Sequence, residues 1–351
     1  MNARHRRICS FIVCALTCCF ANLSFANDVA GTFRIFWIDV EGGAATLIVT
    51  PAGESVLIDS GNPGLRDPDR IVRVAGRMAG LNKIDYLITT HYHRDHFGGA
   101  ALLSSLMPIG TVFDNGTFEG MPNDPGQEYF DFKCDKRVVI NPGDTLPLKQ
   151  TNGPKLSMRC LATRKTFVNA TDNDPDNARI CETCKPKDRD GSDNANSVVM
   201  MIEYGDFRFL DAGDLTWNQE QKLVCPKNLV GRIDVYQVTH HGLDSSNNPV
   251  VLATTQPQVA IMNNGEKKGC LPEVYANLKS TDSLKAIFQM HKNLRPDGSV
   301  NNVEDKYIAN HAPSAQCKGH PIVLEVNKDA SSYSVSLLAT GFSQQFKTSL
   351  K

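Results

Sequence analysis

Short apolar runs closed by glycine or proline turns dominate the start of the chain. The stretches 33–39 (FRIFWID), 45–50 and 55–59 read as consecutive strands, separated by Gly42-Gly43 and Pro51-Ala-Gly53. Apolar positions over 67–80 then fall at helical spacing and stop on Gly80. A buried strand follows at 84–89, and beyond the next loop a helix at 98–107. Strands recur near Thr111, Val138 and Leu156, and at 198–204 and 207–210. The remaining pattern predicts a helix at 216–224, strands at 233–238 and 258–262, helices at 272–280 and 283–291, and closing strands at 322–326 and 333–338. Polar stretches at 163–196 and 292–319 read as surface insertions. Without a repeat or a dividing linker, residues 27–351 read as a single layered α/β domain, with sheets inside and helices outside.

Residues 1–26 stand apart from that pattern. Arg4, Arg6 and Arg7, an apolar run over 8–20 and the small residues of Ser24-Phe25-Ala26 describe a secretory signal peptide cleaved after Ala26. The apolar run is short for a bilayer span, and neither Cys18 nor Cys19 follows the small residue of a lipoprotein site. The mature chain then has no transmembrane segment and is expected in the periplasm or outside the cell. Removing three arginines leaves 34 basic against 38 acidic residues, a net charge of −4. That balance gives no strong nucleic-acid footprint. Seven of the eleven cysteines remain, at 134, 160, 181, 184, 225, 270 and 317, all disulfide candidates in an oxidising compartment. Seven is odd, so at least one is unpaired within the chain. Cys181-Glu-Thr-Cys184 looks like half a zinc knuckle, but no second such pair exists. A local disulfide or two loop thiols is the plainer reading.

The densest chemistry lies in Ile88-Thr-Thr-His-Tyr-His-Arg-Asp-His-Phe-Gly-Gly99, just after the 84–89 strand. Imidazole nitrogen and carboxylate oxygen both bind zinc at about 2.0–2.2 Å. In an extended loop residues i and i+2 point the same way, so His91 and His93 can grip one ion. Asp95 and His96 can face a neighbouring position, which suits two ions about 3.5–4 Å apart. A solvated histidine-rich loop is the ordinary alternative, and four ligand types in six positions argue against it.

This HxHxDH loop resembles the signature of the metallo-β-lactamase superfamily, and further motifs resemble its ComEC-like branch. Ile38-Asp-Val-Glu-Gly-Gly43 is similar to that branch's "DVGQGDA" opening, and Leu57-Ile-Asp-Ser-Gly61 to its "LIDSG". Asn196-Ser-Val-Val, Phe207-Arg-Phe-Leu and Ala212-Gly-Asp214 resemble its "NSLVL…FRFLLTGD" run, and Val238-Thr-His-His-Gly242 its "HHGS". The resemblance covers roughly 33–265 and implies a four-layer αββα sandwich with metals at one edge of the sheets. It implies His91 and His93 on a first metal, Asp95 and His96 on a second, and Asp214 bridging them. Asp214 also suits the N-cap of the 216–224 helix. His240 is implied as a further ligand, His241 as an alternative ligand or a proton donor, and Asp95 and His241 as the catalytic pair. Asp59 would orient a histidine ring, or else cap the 60–64 turn, and Asn196 is a supporting residue.

The chain departs from the pattern twice. No histidine lies between His96 and His240, where lactamases, lactonases and glyoxalases of the superfamily carry one. The usual "GHP" histidine is replaced by Gly269-Cys270-Leu271-Pro272, leaving Cys270 and His291 as candidates to complete the second metal. One or two zinc ions, or another divalent metal, are therefore expected. The resemblance implies an exported hydrolase in which metal-activated water attacks a small phosphodiester. Ester, lactone or β-lactam hydrolysis is the alternative chemistry, and a non-catalytic metal-binding protein the alternative class.

Overall fold

A computed structural model describes residues 31–349, so the leader, its four cysteines and its cleavage site lie outside the described residues. The strand Phe33–Trp37 is apolar on both faces apart from Arg34, whose guanidinium lies over the Phe36 ring, for a reason visible in its packing. Phe33, Ile35 and Trp37 point into a core shared with the second sheet. Phe36 and Ile38 point the other way, against helices. A strand covered on both sides reads as a continuous apolar run rather than an alternating one.

Among the described residues two mixed sheets form. The first has nine strands, ordered Phe342–Lys347, Ser332–Leu337, Ile322–Val326, Phe33–Trp37, Thr46–Val49, Ser55–Ile58, Ile84–Ile88, Ile109–Asp114 and Lys136–Val139. The second has eight, ordered Ile308–Asn310, Ala286–His291, Val259–Met262, Val235–Gln237, Phe207–Asp211, Val199–Tyr204, Leu156–Thr163 and Thr166–Phe167. The helices Arg66–Arg73 and Ala100–Leu106 cover the first sheet's outer face. Trp217–Val224, Pro249–Thr255 and Pro272–Lys279 cover the second's. The result is the helix–sheet–sheet–helix sandwich expected from sequence. Among the described residues no helix is long and apolar enough to cross a membrane.

Three local expectations are corrected. The predicted 283–291 helix is instead the strand Ala286–His291, pairing in parallel with Val259–Met262 and Ile308–Asn310. All six of its residues are buried, and a short run buried all round has no periodicity to separate strand from helix. The 163–196 stretch is not wholly surface, because Asp193–Asn196 is buried. Cys181 pairs with Cys225 across 44 residues rather than with Cys184, leaving five thiols free. The 292–319 stretch supplies an edge strand, Ile308–Asn310, and a further strand, Phe342–Lys347, closes the first sheet beyond those predicted.

Glu220, on Trp217–Val224, is buried and accepts a hydrogen bond from the Asn248 backbone at 2.8 Å. Burial pushes its carboxyl up to about 7 against those hydrogen bonds. A carboxyl raised in the folded state stabilises fully below its unfolded pKa and less as pH rises through about 7. Glu220→Gln should therefore gain about 1–3 kcal/mol relative to wild type between pH 5 and pH 8. Denaturant titrations at the two pH values check this, and a pH-independent difference would refute it.

Candidate metal centre

The strand Ile84–Ile88 ends at the sheet's edge and delivers Thr89, Thr90 and the histidine loop there. After His93, in extended backbone, a single helical turn, Arg94–Phe97, carries Asp95 and His96. The loop is held from below by the Gly42-Gly43 turn: Ala44 donates its N–H to Asp95 O at 3.1 Å. A Cβ on Gly43 would meet that carbonyl at 2.4 Å, and one on Gly99 would meet Ser60 O at 2.2 Å. Glycine is required at both by close backbone approach.

Asp59 does the first orienting work. Its Oδ1 accepts from Thr90 N at 2.8 Å, and its Oδ2 from Thr90 Oγ1 at 2.7 Å. Oδ2 also takes His96 Nδ1 at 2.6 Å, so His96 presents Nε2 to the centre. That nitrogen lies 3.1 Å from Asp214 Oδ2, 3.3 Å from His241 Nε2 and 3.6 Å from Asp95 Oδ2. Asp214 reaches it from the second sheet, just after Phe207–Asp211, with its own N–H on Ser197 Oγ at 3.2 Å. Ser197 Oγ and Thr90 Oγ1 both approach His91 Nδ1, at 3.4 and 3.1 Å.

Two groups of ligand atoms result, each drawn within 4.8 Å: His91, His93 and Asp214, and Asp95, His96, Asp214 and His241. Burial raises the cost of charge on Asp214, yet His241, His96 and His240 hold its carboxyl well below the usual range. Asp95 is likewise held low by His96 and His241 against burial. Burial drives His91 well below the imidazole range, with His96 adding to the effect. Burial opposes a charge on His96 too, but Asp214, Asp59 and Asp95 pull it well above. The centre thus concentrates negative charge where His96 sits. His91 Nε2 is buried without a hydrogen-bond partner, and His96 and His241 turn nitrogens toward each other at 3.3 Å. A lone pair with no donor and two facing imidazoles are what a divalent cation satisfies, so these residues fit a metal.

The structure departs from several expected roles. His241, not His240, joins Asp95, His96 and Asp214. Both histidines have positive φ, 55° and 56°, and the second is tied down by Cys270 N on its carbonyl at 3.0 Å. His240 touches Asp214 at 3.5 Å but is already hydrogen-bonded: Nδ1 to Ser245 Oγ at 3.0 Å, Nε2 to Asn194 Nδ2 at 3.3 Å. Burial moves its pKa down to about 4, against Asp214. Cys270 is in neither group. Its thiol donates to Asn301 O at 2.9 Å, and burial pushes it up to about 12. His291 faces away from Asp214, placing Nε2 2.6 Å from Asp39 Oδ1. Asn196 acts one step out, donating to Asp193 Oδ1 at 2.8 Å, while Asp193 Oδ2 accepts Tyr92 N at 2.6 Å. Asp193 and Asn194 sit in the stretch read as a surface insertion, and Lys268, hydrogen-bonded to Asp95 Oδ2, directly precedes the Gly269–Pro272 stretch that drew attention only through Cys270.

Residues 38–146 match the family model described as the Metallo-beta-lactamase superfamily. The chain is 26% identical over 267 residues to Recombination protein 2 of Haemophilus influenzae, covering 73% of this chain and 27% of that protein. It is 34% identical over 80 residues to a UPF0173 metal-dependent hydrolase of Cupriavidus necator, covering 23% of this chain and 26% of the relative. Among solved structures it is similar to CmlA, a diiron β-hydroxylase from Streptomyces venezuelae, at 17% identity and a TM-score of 0.37, covering 66% of this chain and 44% of that one. The family-model match over residues 38–146 makes the chain similar to the metallo-β-lactamase superfamily there. The chain is also similar to ComE operon protein 3 of Bacillus subtilis, at 26% identity covering 53% of this chain and 21% of that protein, and to Competence protein ComA of Neisseria gonorrhoeae, at 22% covering 64% and 26%. It spans about a quarter of the length of the curated relatives it matches.

Asp59→Asn keeps the shape and tolerates the positive φ of 62° there, but weakens the grip on His96. Zinc affinity should fall about 10–100-fold in a protein that stays folded, measured by competition with a chelator. Unchanged affinity would remove Asp59 from the metal's support.

Proposed function

We propose that the protein is an exported metal-dependent hydrolase acting on a small phosphodiester, using one or two zinc ions or another divalent metal. The observation that carries this is the sharing of Asp214 Oδ2 between the two ligand groups, beside a histidine nitrogen with no protein partner. On this reading His91, His93 and Asp214 hold one ion, and Asp95, His96, Asp214 and His241 the other. When bound, the metal supplies a Lewis acid and a water acidified toward neutral pH.

The chain's own residues set the geometry for that chemistry. Asp59 fixes the His96 tautomer, and Ser197 and Thr90 hold His91. Asp95, kept ionised and 21% exposed in its side chain, accepts and orients a proton of the attacking water at Oδ2. Asp95 and His241 both belong to the ligand set on this reading, and Asp95, the more exposed of the two, is the one placed to hold a water proton. Beside the His240-His241 turn a cavity of about 600 Å³ is lined by both charges, Lys187 and Arg189 with Asp188, Asp190 and Asp244, around the Trp217 indole. The superfamily placement and the metal-dependent hydrolase relative support the hydrolase class.

Zinc-loaded protein should hydrolyse bis-p-nitrophenyl phosphate and lose that activity with chelator. In His93→Ala the rate should fall by more than the about 10–100-fold that losing a supporting partner costs. Nitrocefin turnover without phosphodiester cleavage would overturn the substrate class. Zinc binding with no turnover on either would overturn the enzyme reading.

A further inference from the structure

Lys268 lies on the loop between Val259–Met262 and Pro272–Lys279, two residues before Cys270. Its Nζ donates to Asp95 Oδ2, the oxygen that also faces His241 Nε2 at 3.3 Å and His96 Nε2 at 3.6 Å. Among the described residues it is the one lysine or arginine paired with Asp95 or Asp214. The contact is at the mouth of the centre, with the lysine side chain 39% exposed. One ammonium hydrogen serves Asp95, and an ammonium has three to give.

The loop beneath Lys268 is pinned. Arg295 donates to the carbonyls of Lys267 at 2.9 Å, Gly269 at 2.7 Å and Cys270 at 3.1 Å. Asp297 pairs with that guanidinium at 2.8 Å, and Asn301 donates to Cys270 O at 2.6 Å. Gly265 N closes the turn on Lys268 O at 3.0 Å. Gly42 makes room for it, since a Cβ there would stand 3.2 Å from Lys268 Cβ. A partly exposed ion pair contributes at most about 1 kcal/mol, which does not account for a lysine held so firmly over a reactive carboxylate. A fixed positive charge facing solvent beside the ligand atoms does suit recognition of an incoming anion.

We propose that Lys268 binds an anionic oxygen of the substrate at the mouth of the metal centre, and so selects phosphoryl substrates. The inference rests on the hydrolase reading but is tested by binding rather than turnover. Zinc-loaded wild type, Lys268→Gln and Lys268→Arg would be titrated with inorganic phosphate by calorimetry, with zinc content and thermal unfolding measured on the same samples. Lys268→Gln should bind phosphate about tenfold or more weakly at unchanged zinc content, and Lys268→Arg should retain most of the affinity. Equal phosphate affinity in Lys268→Gln would overturn the proposal. So would zinc content that changes with the substitution, because Lys268 would then act on the metal ligands instead. A zinc-loaded wild type that binds no phosphate overturns it as well. Phosphate binding that depends on Lys268 in a protein without turnover would leave this inference standing while the hydrolase reading falls.

Discussion

One carboxylate oxygen, Asp214 Oδ2, lies within 4 Å of four imidazole nitrogens, those of His96, His241, His240 and His91. Two of these histidines follow a strand of the first sheet, and two a strand of the second. The contact therefore exists only if the two sheets stack in one relation. Gln237 helps fix it, its Oε1 accepting from Trp37 Nε1 at 2.8 Å and Thr46 Oγ1 at 3.1 Å across the core. Trp37 meets Phe209 edge-on at 5.5 Å in the same layer, and Phe209 lies on the strand that leads to Asp214. Packing between the sheets and geometry at the centre are in this sense one constraint.

Two buried ionic clusters flank the Gly42-Gly43 turn, and their contrast says what each needs. Asp39, Glu41, His291 and Cys317 form a group close enough to hold an ion. Arg70, however, pairs with Asp39 at 2.9 Å and Glu41 at 3.0 Å, so this group carries its own cation. His291 Nδ1 is buried without a hydrogen-bond partner, as His241 Nδ1 is in the Asp214 centre, so the contrast between the clusters rests on charge. The Asp214 centre is the reverse. Its interior holds no arginine or lysine, Asp59 is placed to receive the other nitrogen of His96, and Lys268 touches only from the rim. Apart from Lys268 at Asp95, the centre has only its histidines to balance its carboxylates, which suits a metal there, and Arg70 makes the Asp39 group a structural ion pair.

Much of this was legible in sequence because it is local. Four ligand types in six residues announce themselves, and alternating or continuous apolar runs mark most strands. Asp59 and Asp214 were reachable by motif, since each ends a strand in a short signature. What failed depends on long-range packing. Nothing local says that the turn at 240–241 takes two positive φ angles, with His241 among Asp95, His96 and Asp214 and His240 held by Ser245 and Asn194. Cys270 and His291 were sensible candidates by order along the chain, yet the loop fold turns one thiol to Asn301 and the strand Ala286–His291 carries the imidazole to Asp39. Asp193, Asn194 and Cys181–Cys225 were hidden because a polar stretch looks the same whether it is solvated or folded over a site.

On the proposed reading the Asp214 centre, and not the neighbouring Asp39 group, takes the metal. A crystal structure of zinc-soaked protein with anomalous data at the zinc edge tests it most directly. Anomalous density is expected between His91, His93 and Asp214, with or without a second peak among Asp95, His96, Asp214 and His241, and none at Asp39. Zinc bound by Asp39, Glu41, His291 and Cys317, or no zinc beside Asp214, would contradict it.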